Sequence, residues 1–103
     1  MKVVNKMEFY KTQSWKRKRA KILRRDGYEC LNCKRYGKNR TATTVHHCHP
    51  LKERPDLRLA SWNLISLCAE CHGKMHDRET DKLTKLGEFW REKVTPHPSS
   101  TVE

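Results

Sequence analysis

The chain has 103 residues, room for a single domain, and its 35% hydrophobic content promises only a thin core. Lysine and arginine total 23 against 12 acidic residues, a formal charge of +11, which points to a polyanionic partner. No stretch approaches the ~20 apolar residues that span a bilayer, and the opening MKVVNKMEF lacks a secretory hydrophobic run, so no membrane association is expected and a reducing, cytoplasmic setting is.

Residues 1–8 read as an N-terminal extension, 9–94 as one domain, and 95–103 (TPHPSSTVE) as a disordered tail. The segment 9–26, FYKTQSWKRKRAKILRRD, predicts an amphipathic helix. Trp15, Ile22 and Leu23 recur at helical spacing with Arg19 between them, Thr12 or Ser14 is the candidate cap, and Gly27 the stop. Its other face carries Lys16, Arg17, Lys18, Lys21, Arg24 and Arg25, a candidate phosphate-contacting surface. Cys30-Leu-Asn-Cys33 forms a knuckle, followed by a basic, turn-rich loop over 34–40. Residues 43–48 are β-prone and stop before Pro50, 51–61 read as irregular, and Leu64–Leu67 as a second strand. Helices are expected over about 69–76 and 80–93, the latter with an apolar stripe of Leu83, Leu86, Phe89 and Trp90.

Cys30, Cys33, Cys68 and Cys71 make two Cys-x-x-Cys pairs, the donor set of a closed, tetrahedral structural zinc site. A whole strand and loop lie between the pairs, so the ion would clamp the end of the first helix to the end of the second strand. Cys48, the fifth, reads as a packed thiol. His46, His47, His49, His72 and His76 gather in the same half of the chain; a helix through 72–76 would stack the last two on one face. His49 reads as a surface or phosphate-contacting residue.

Two segments, VHHCHP (45–50) and NLISLCAECHGKMH (63–76), resemble the HNH endonuclease signature, and residues 9–33 are similar to the helix and cysteine knuckle of small phage HNH endonucleases encoded near DNA-packaging genes. The resemblance implies an α+β fold with a ββα-metal (His-Me finger) core, the four-cysteine zinc and flanking N- and C-terminal helices. It makes His47 the general base, His46 and His72 ligands of a catalytic divalent metal, and His76 a third ligand. Asn63 either orients the base-bearing loop or approaches the metal. Phosphodiester hydrolysis needs these types: a near-neutral imidazole takes the water's proton, and a cation stabilises the phosphate and the leaving oxygen. An imidazole-rich site suits Mn²⁺, Ni²⁺, Co²⁺ or Zn²⁺, with Mg²⁺ the oxygen-preferring alternative. The implied activity is nicking or double-strand cleavage of DNA, with Lys16, Arg17, Lys21, Arg24, Arg40 and Lys74 gripping the backbone. The implied partners are DNA and phage terminase or packaging proteins, with the chain a monomer. The alternative is a non-catalytic zinc-containing nucleic-acid-binding module, which needs the cysteines but not His47.

One tension is physical. Neighbours on a regular strand point to opposite faces, so His46 and His47 should not both face one metal.

Overall fold

The computed structural model describes residues 6–96. Its elements run α1 (Lys6–Tyr10), α2 (Gln13–Arg25), α3 (Leu31–Arg35), β1 (Thr44–His47), β2 (Leu64–Leu67), α4 (Ala69–Gly73) and α5 (Lys85–Val94), with 3-10 turns at Pro55–Leu57 and Ser61–Asn63. The expected disordered tail lies outside the described residues apart from Thr95 and Pro96.

The single helix expected over 9–26 is two. Thr12 takes an extended conformation, its hydroxyl accepts the Trp15 N–H at 3.2 Å and donates to the Phe9 carbonyl at 2.7 Å. The hydroxyl therefore closes one helix and caps the next. The break folds Phe9 back onto Trp15, ring centroids 5.3 Å apart, which a continuous helix would prevent. At the far end Gly27 takes φ +64, a left-handed turn that suits glycine.

The two strands pair antiparallel with Thr44 opposite Leu67, Val45 opposite Ser66, His46 opposite Ile65 and His47 opposite Leu64. The pleat sorts their side chains into two cores. Val45 and Leu64 join Phe9, Trp15, Ile22 and Leu23 beneath α2. Ile65 and Leu67 join the four paired cysteines, Cys48, Met75 and Trp90 on the other side. Lys18 and Arg25, read from sequence as part of a phosphate-contacting face, are tied to the β2 side. Lys18 Nζ donates to Ser61 Oγ at 3.0 Å; Arg25 donates to the Ser61 and Leu64 carbonyls at 3.0 and 2.7 Å. Asp26 adds an acceptor for the Ser66 N–H at 3.1 Å, so the end of α2 sets the position of β2.

The last two helices are shorter than expected. Cys68 caps α4, which stops at Gly73, so His76 lies beyond it in an isolated bridge with Leu83. The Asp77 carboxylate takes the N–H groups of Glu79 and Thr80 at 2.8 and 3.0 Å, and Asp81 sits at φ +62. These local bonds delay α5 until Thr84, whose hydroxyl accepts the Gly87 N–H at 3.1 Å. Of the expected apolar stripe, Trp90 is buried, Leu86 packs on the core's edge and Phe89 stays exposed.

Gly87 is required by space. A Cβ there would sit 2.4 Å from the Met75 carbonyl oxygen and 2.8 Å from Leu83 Cδ2. Gly87→Ala should therefore cost about 1–3 kcal/mol, despite alanine's better helix propensity, because the blocking atom is backbone. A urea titration checks this; a stabilised variant would contradict the close approach.

Candidate active site and metal centre

The two cysteine pairs converge. Each first cysteine, Cys30 and Cys68, caps a short helix and accepts the N–H of the second, at 3.4 and 3.5 Å. One sulfur from each of the four residues lies within 4.8 Å of all the others, and all four residues are buried. Cys33 Sγ is 3.9 Å from Cys68 Sγ and 3.6 Å from Cys71 Sγ. A zinc ion with bonds of about 2.3 Å in a tetrahedron needs sulfurs roughly 3.8 Å apart, which these two separations match. Asn32 completes the surround: its Nδ2 donates to Cys71 Sγ at 3.4 Å, and its Oδ1 accepts the Trp90 indole N–H at 2.9 Å. Burial, then the neighbouring sulfurs, pushes the Cys33 thiol up to about 12. Burial also opposes ionisation at Cys68, but hydrogen bonds from the Cys71 N–H and the adjoining sulfurs pull it down to about 7. A divalent cation at the centre would favour the thiolate form of all four. Cys48 stays outside this cluster, fully buried, its thiol pushed up to about 12 by burial.

The strand resolves the tension between the adjacent histidines by separating them. His46 faces α4: its ring centroid is 5.3 Å from that of His72 and 5.6 Å from that of His76. His76 reaches this position although it lies beyond the helix, because the chain turns tightly there, Met75 N–H donating to the His72 carbonyl at 3.2 Å. His46 is 1% exposed and its Nε2 is buried without a hydrogen-bond partner among the described residues. A buried nitrogen left unpartnered is costly, and the neighbouring His72 and His76 rings add donors of a type that suits a divalent cation. Among the described residues only the four cysteines already bring their ligand atoms within 4.8 Å of one another, so the imidazoles would draw together around an ion. Burial, then the charges of His72 and His76, holds His46 down to about 3, so it stays neutral and able to ligate. Burial likewise lowers His72.

His47 faces the opposite way. Its ring stacks on Trp15 at 5.0 Å and 24°, with Phe9 at 6.0 Å and Tyr10 at 6.1 Å. Its Nε2 lies 3.0 Å from the Arg58 carbonyl oxygen. A carbonyl only accepts, so Nε2 carries the hydrogen and Nδ1 is left as the basic nitrogen. Burial lowers the His47 pKa, with the Arg58 hydrogen bond opposing.

Asn63 is fully buried and spends its amide on the intervening loop. Its Oδ1 accepts the His49 N–H at 2.6 Å; its Nδ2 donates to the His49 and Leu57 carbonyls at 3.2 and 3.3 Å. It fastens the residues after β1 to the segment that presents the Arg58 carbonyl, and it does not line the cleft. His49, expected at the surface or on phosphate, is half-buried. Its Nε2 lies 2.7 Å from Thr95 Oγ1. That hydroxyl's hydrogen is committed to the Arg91 carbonyl at 2.5 Å, so His49 donates and pins the loop to the end of α5.

A cleft of about 630 Å³ joins these features, lined by His46, His47, His72 and His76. Among the described residues its cations are Lys6, Arg19 and Lys52, and Asp81 is its acid. None of the six expected DNA contacts, Lys16, Arg17, Lys21, Arg24, Arg40 and Lys74, lines it. The first four are exposed on α2, while Arg40 and Lys74 both pair with Glu70, the latter at 3.8 Å. Such exposed pairs are weak and leave both cations open to phosphate. Arg19 was readable in principle, being a cation set in the apolar stripe between Trp15 and Ile22. Its Nη2 donates to the Thr43 carbonyl at 2.9 Å, which tethers it beside β1. Lys6 and Lys52 carry no local signal in the sequence.

The neutral histidines imply acid sensitivity. His46 titrates near 6.5 when free and at about 3 when folded, so between those values the unfolded chain binds the extra proton. Stability should therefore fall as pH drops from ~7 to ~4, and loss of a thiolate-held cation would deepen the fall. Thermal melts across that range check this; a flat melting temperature would contradict a buried, neutral His46.

The family model described as HNH endonuclease matches residues 30–78. The crystal structure of the HNH endonuclease of the deep-sea thermophilic bacteriophage GVE2, solved with a manganese ion, is similar at a TM-score of 0.64 and 37% identity; the match covers 65% of this chain and 73% of that one. None of the curated proteins matches.

Proposed function

The chain belongs to the HNH endonuclease family, and from that premise we propose that it is a divalent-metal-dependent DNA endonuclease with His47 as general base. The observation that carries the reading is the division of two adjacent histidines between the faces of β1: an unpartnered buried imidazole among two others on one side, and an oriented imidazole on the other.

His47 would take the proton of the attacking water at Nδ1, while the Arg58 carbonyl, holding Nε2–H, fixes the ring and grows more favourable as the ring becomes cationic. Trp15, Phe9 and Tyr10 restrict the ring's rotation. Asn63 keeps the Arg58 segment in register. Held by His46, His72 and His76, a divalent cation would polarise the phosphate and stabilise the leaving oxygen. Lys6, Arg19 and Lys52 would draw the phosphodiester into the cleft, with Lys16, Arg17, Lys21, Arg24, Arg40 and Lys74 adding wider, salt-sensitive attraction. The four-cysteine site would hold zinc as structure, leaving chemistry to the histidines. The imidazole donors favour Ni²⁺, Co²⁺ or Zn²⁺ over Mg²⁺, and Mn²⁺ joins the candidates because the similar GVE2 structure was solved with it. Action on phage DNA alongside packaging proteins rests on the family resemblance and on the phage source of that relative.

The test is supercoiled plasmid incubated with protein freed of weakly held cations, each of Mg²⁺, Mn²⁺, Ni²⁺, Co²⁺ and Zn²⁺ being added back in turn. Nicked or linear product with the imidazole-compatible ions is expected. Plasmid binding at low salt with cleavage by none of them would leave a zinc-containing nucleic-acid-binding module instead.

A further inference from the structure

The wall of the cleft opposite α4 carries apolar side chains that hydrolysis of a phosphodiester does not require. Met7 is 71% exposed and Tyr10 38% exposed. They lie three residues apart on α1, hence on one face, and both line the cleft with Lys6 and Arg19. An exposed apolar pair costs solubility on a protein otherwise this charged, and here it stands beside the proposed catalytic base. Tyr10 is also held still: its ring leans on Phe9 at 5.4 Å, Trp15 at 5.5 Å and His47 at 6.1 Å. The break at Thr12 that divides α1 from α2 is what brings this face round to the cleft.

We infer that α1 is a nucleotide platform: Tyr10, flanked by Met7, stacks the base next to the scissile phosphodiester, so the preferred substrate is DNA with an unpaired nucleotide at the cut. A fixed aromatic edge beside a cationic groove is how proteins bind single strands without reading sequence, because every base offers a π face. Lys6 and Arg19, on the same wall, match the charge of the phosphates on either side of such a base. A base still paired and stacked in duplex presents no face to Tyr10, so discrimination between strands follows from geometry. This inference rests on the endonuclease reading for the identity of the phosphodiester, but its test does not need cleavage.

The experiment uses single-stranded and duplex oligonucleotides carrying 2-aminopurine, titrated with the full chain without added divalent cation. Wild type and Tyr10→Phe should quench the fluorophore in the single strand. Tyr10→Leu, which keeps apolar bulk against Phe9 and Trp15, should lose the quenching and bind the single strand roughly tenfold more weakly. Met7→Ala, at a position too exposed to affect folding, should weaken single-strand binding severalfold, and duplex binding should be alike in all four proteins. Equal quenching and affinity in wild type, Tyr10→Leu and Met7→Ala would overturn the platform. The same oligonucleotides are then incubated with each of Mg²⁺, Mn²⁺, Ni²⁺, Co²⁺ and Zn²⁺ in turn. Wild type that quenches but cuts nothing would sink the endonuclease reading while leaving the platform standing.

Discussion

His47→Ala should abolish most plasmid cleavage, lowering the rate by ~10² or more, the usual scale for losing a general base. The expectation depends on the Arg58 carbonyl: because it only accepts, it fixes Nε2 as the protonated nitrogen and leaves Nδ1 to act. Alanine removes both the base and an aromatic contact of Trp15, so some stability is lost as well, about 1–3 kcal/mol for a buried side chain of this kind. His47→Gln separates the two effects. It restores bulk beside Trp15 and a donor to Arg58 but offers no basic nitrogen, so it should recover stability without recovering rate. Recovery of cleavage by glutamine would reduce His47 to a structural residue.

Removing the cysteine-held cation should unfold the domain. Structural zinc contributes about 10–16 kcal/mol in small domains at neutral pH, more than or comparable to the ~5–15 kcal/mol by which whole domains are stable. One of the two cores is built around the four sulfurs, with Ile65, Leu67, Met75 and Trp90 packed against them. Its loss therefore frees β2 and the α4 end that carries His72. Cys33→Ser, or a chelator strong enough to strip the site, should abolish the cooperative melting transition and the bound metal together. Cys48→Ala is the control. Its thiol is buried among the same residues but stands outside the four-sulfur cluster, so metal content should stay at wild type and the cost should be about 1 kcal/mol. A Cys33→Ser variant that melts like wild type would refute the structural role.

The four-cysteine cluster was readable because its signal is chemical and local: two residues between paired cysteines fix a turn that needs little tertiary information, and the second strand, Leu64–Leu67, was bounded correctly by its apolar run. The opposed faces of His46 and His47 followed from the strand's period of two, and the pairing with Ile65 and Leu64 gives each its core. What escaped the sequence depends on competition between local bonds and helical pattern. Thr12 looks like a helix start in either arrangement; only the packing of Phe9 on Trp15 determines that the chain breaks there. Asp77 and Thr84 similarly override a helical pattern that reaches back to Thr80. Cleft-lining cations were missed for a related reason. The exposed face of α2 is the conspicuous basic surface, yet the cleft opens against its apolar side, where Arg19 reaches round and Lys6 arrives from a separate helix.

The most direct measurement is Mn²⁺ affinity by calorimetry, run beside plasmid cleavage, for wild type, His46→Ala and His47→Ala with the cysteine-held ion in place. Opposite faces of one strand predict a split result. His46→Ala should lose both Mn²⁺ binding and cleavage, whereas His47→Ala should bind Mn²⁺ as wild type does and fail to cleave. Equal loss of Mn²⁺ in both variants, or undiminished cleavage by His47→Ala, would contradict the division between metal and base.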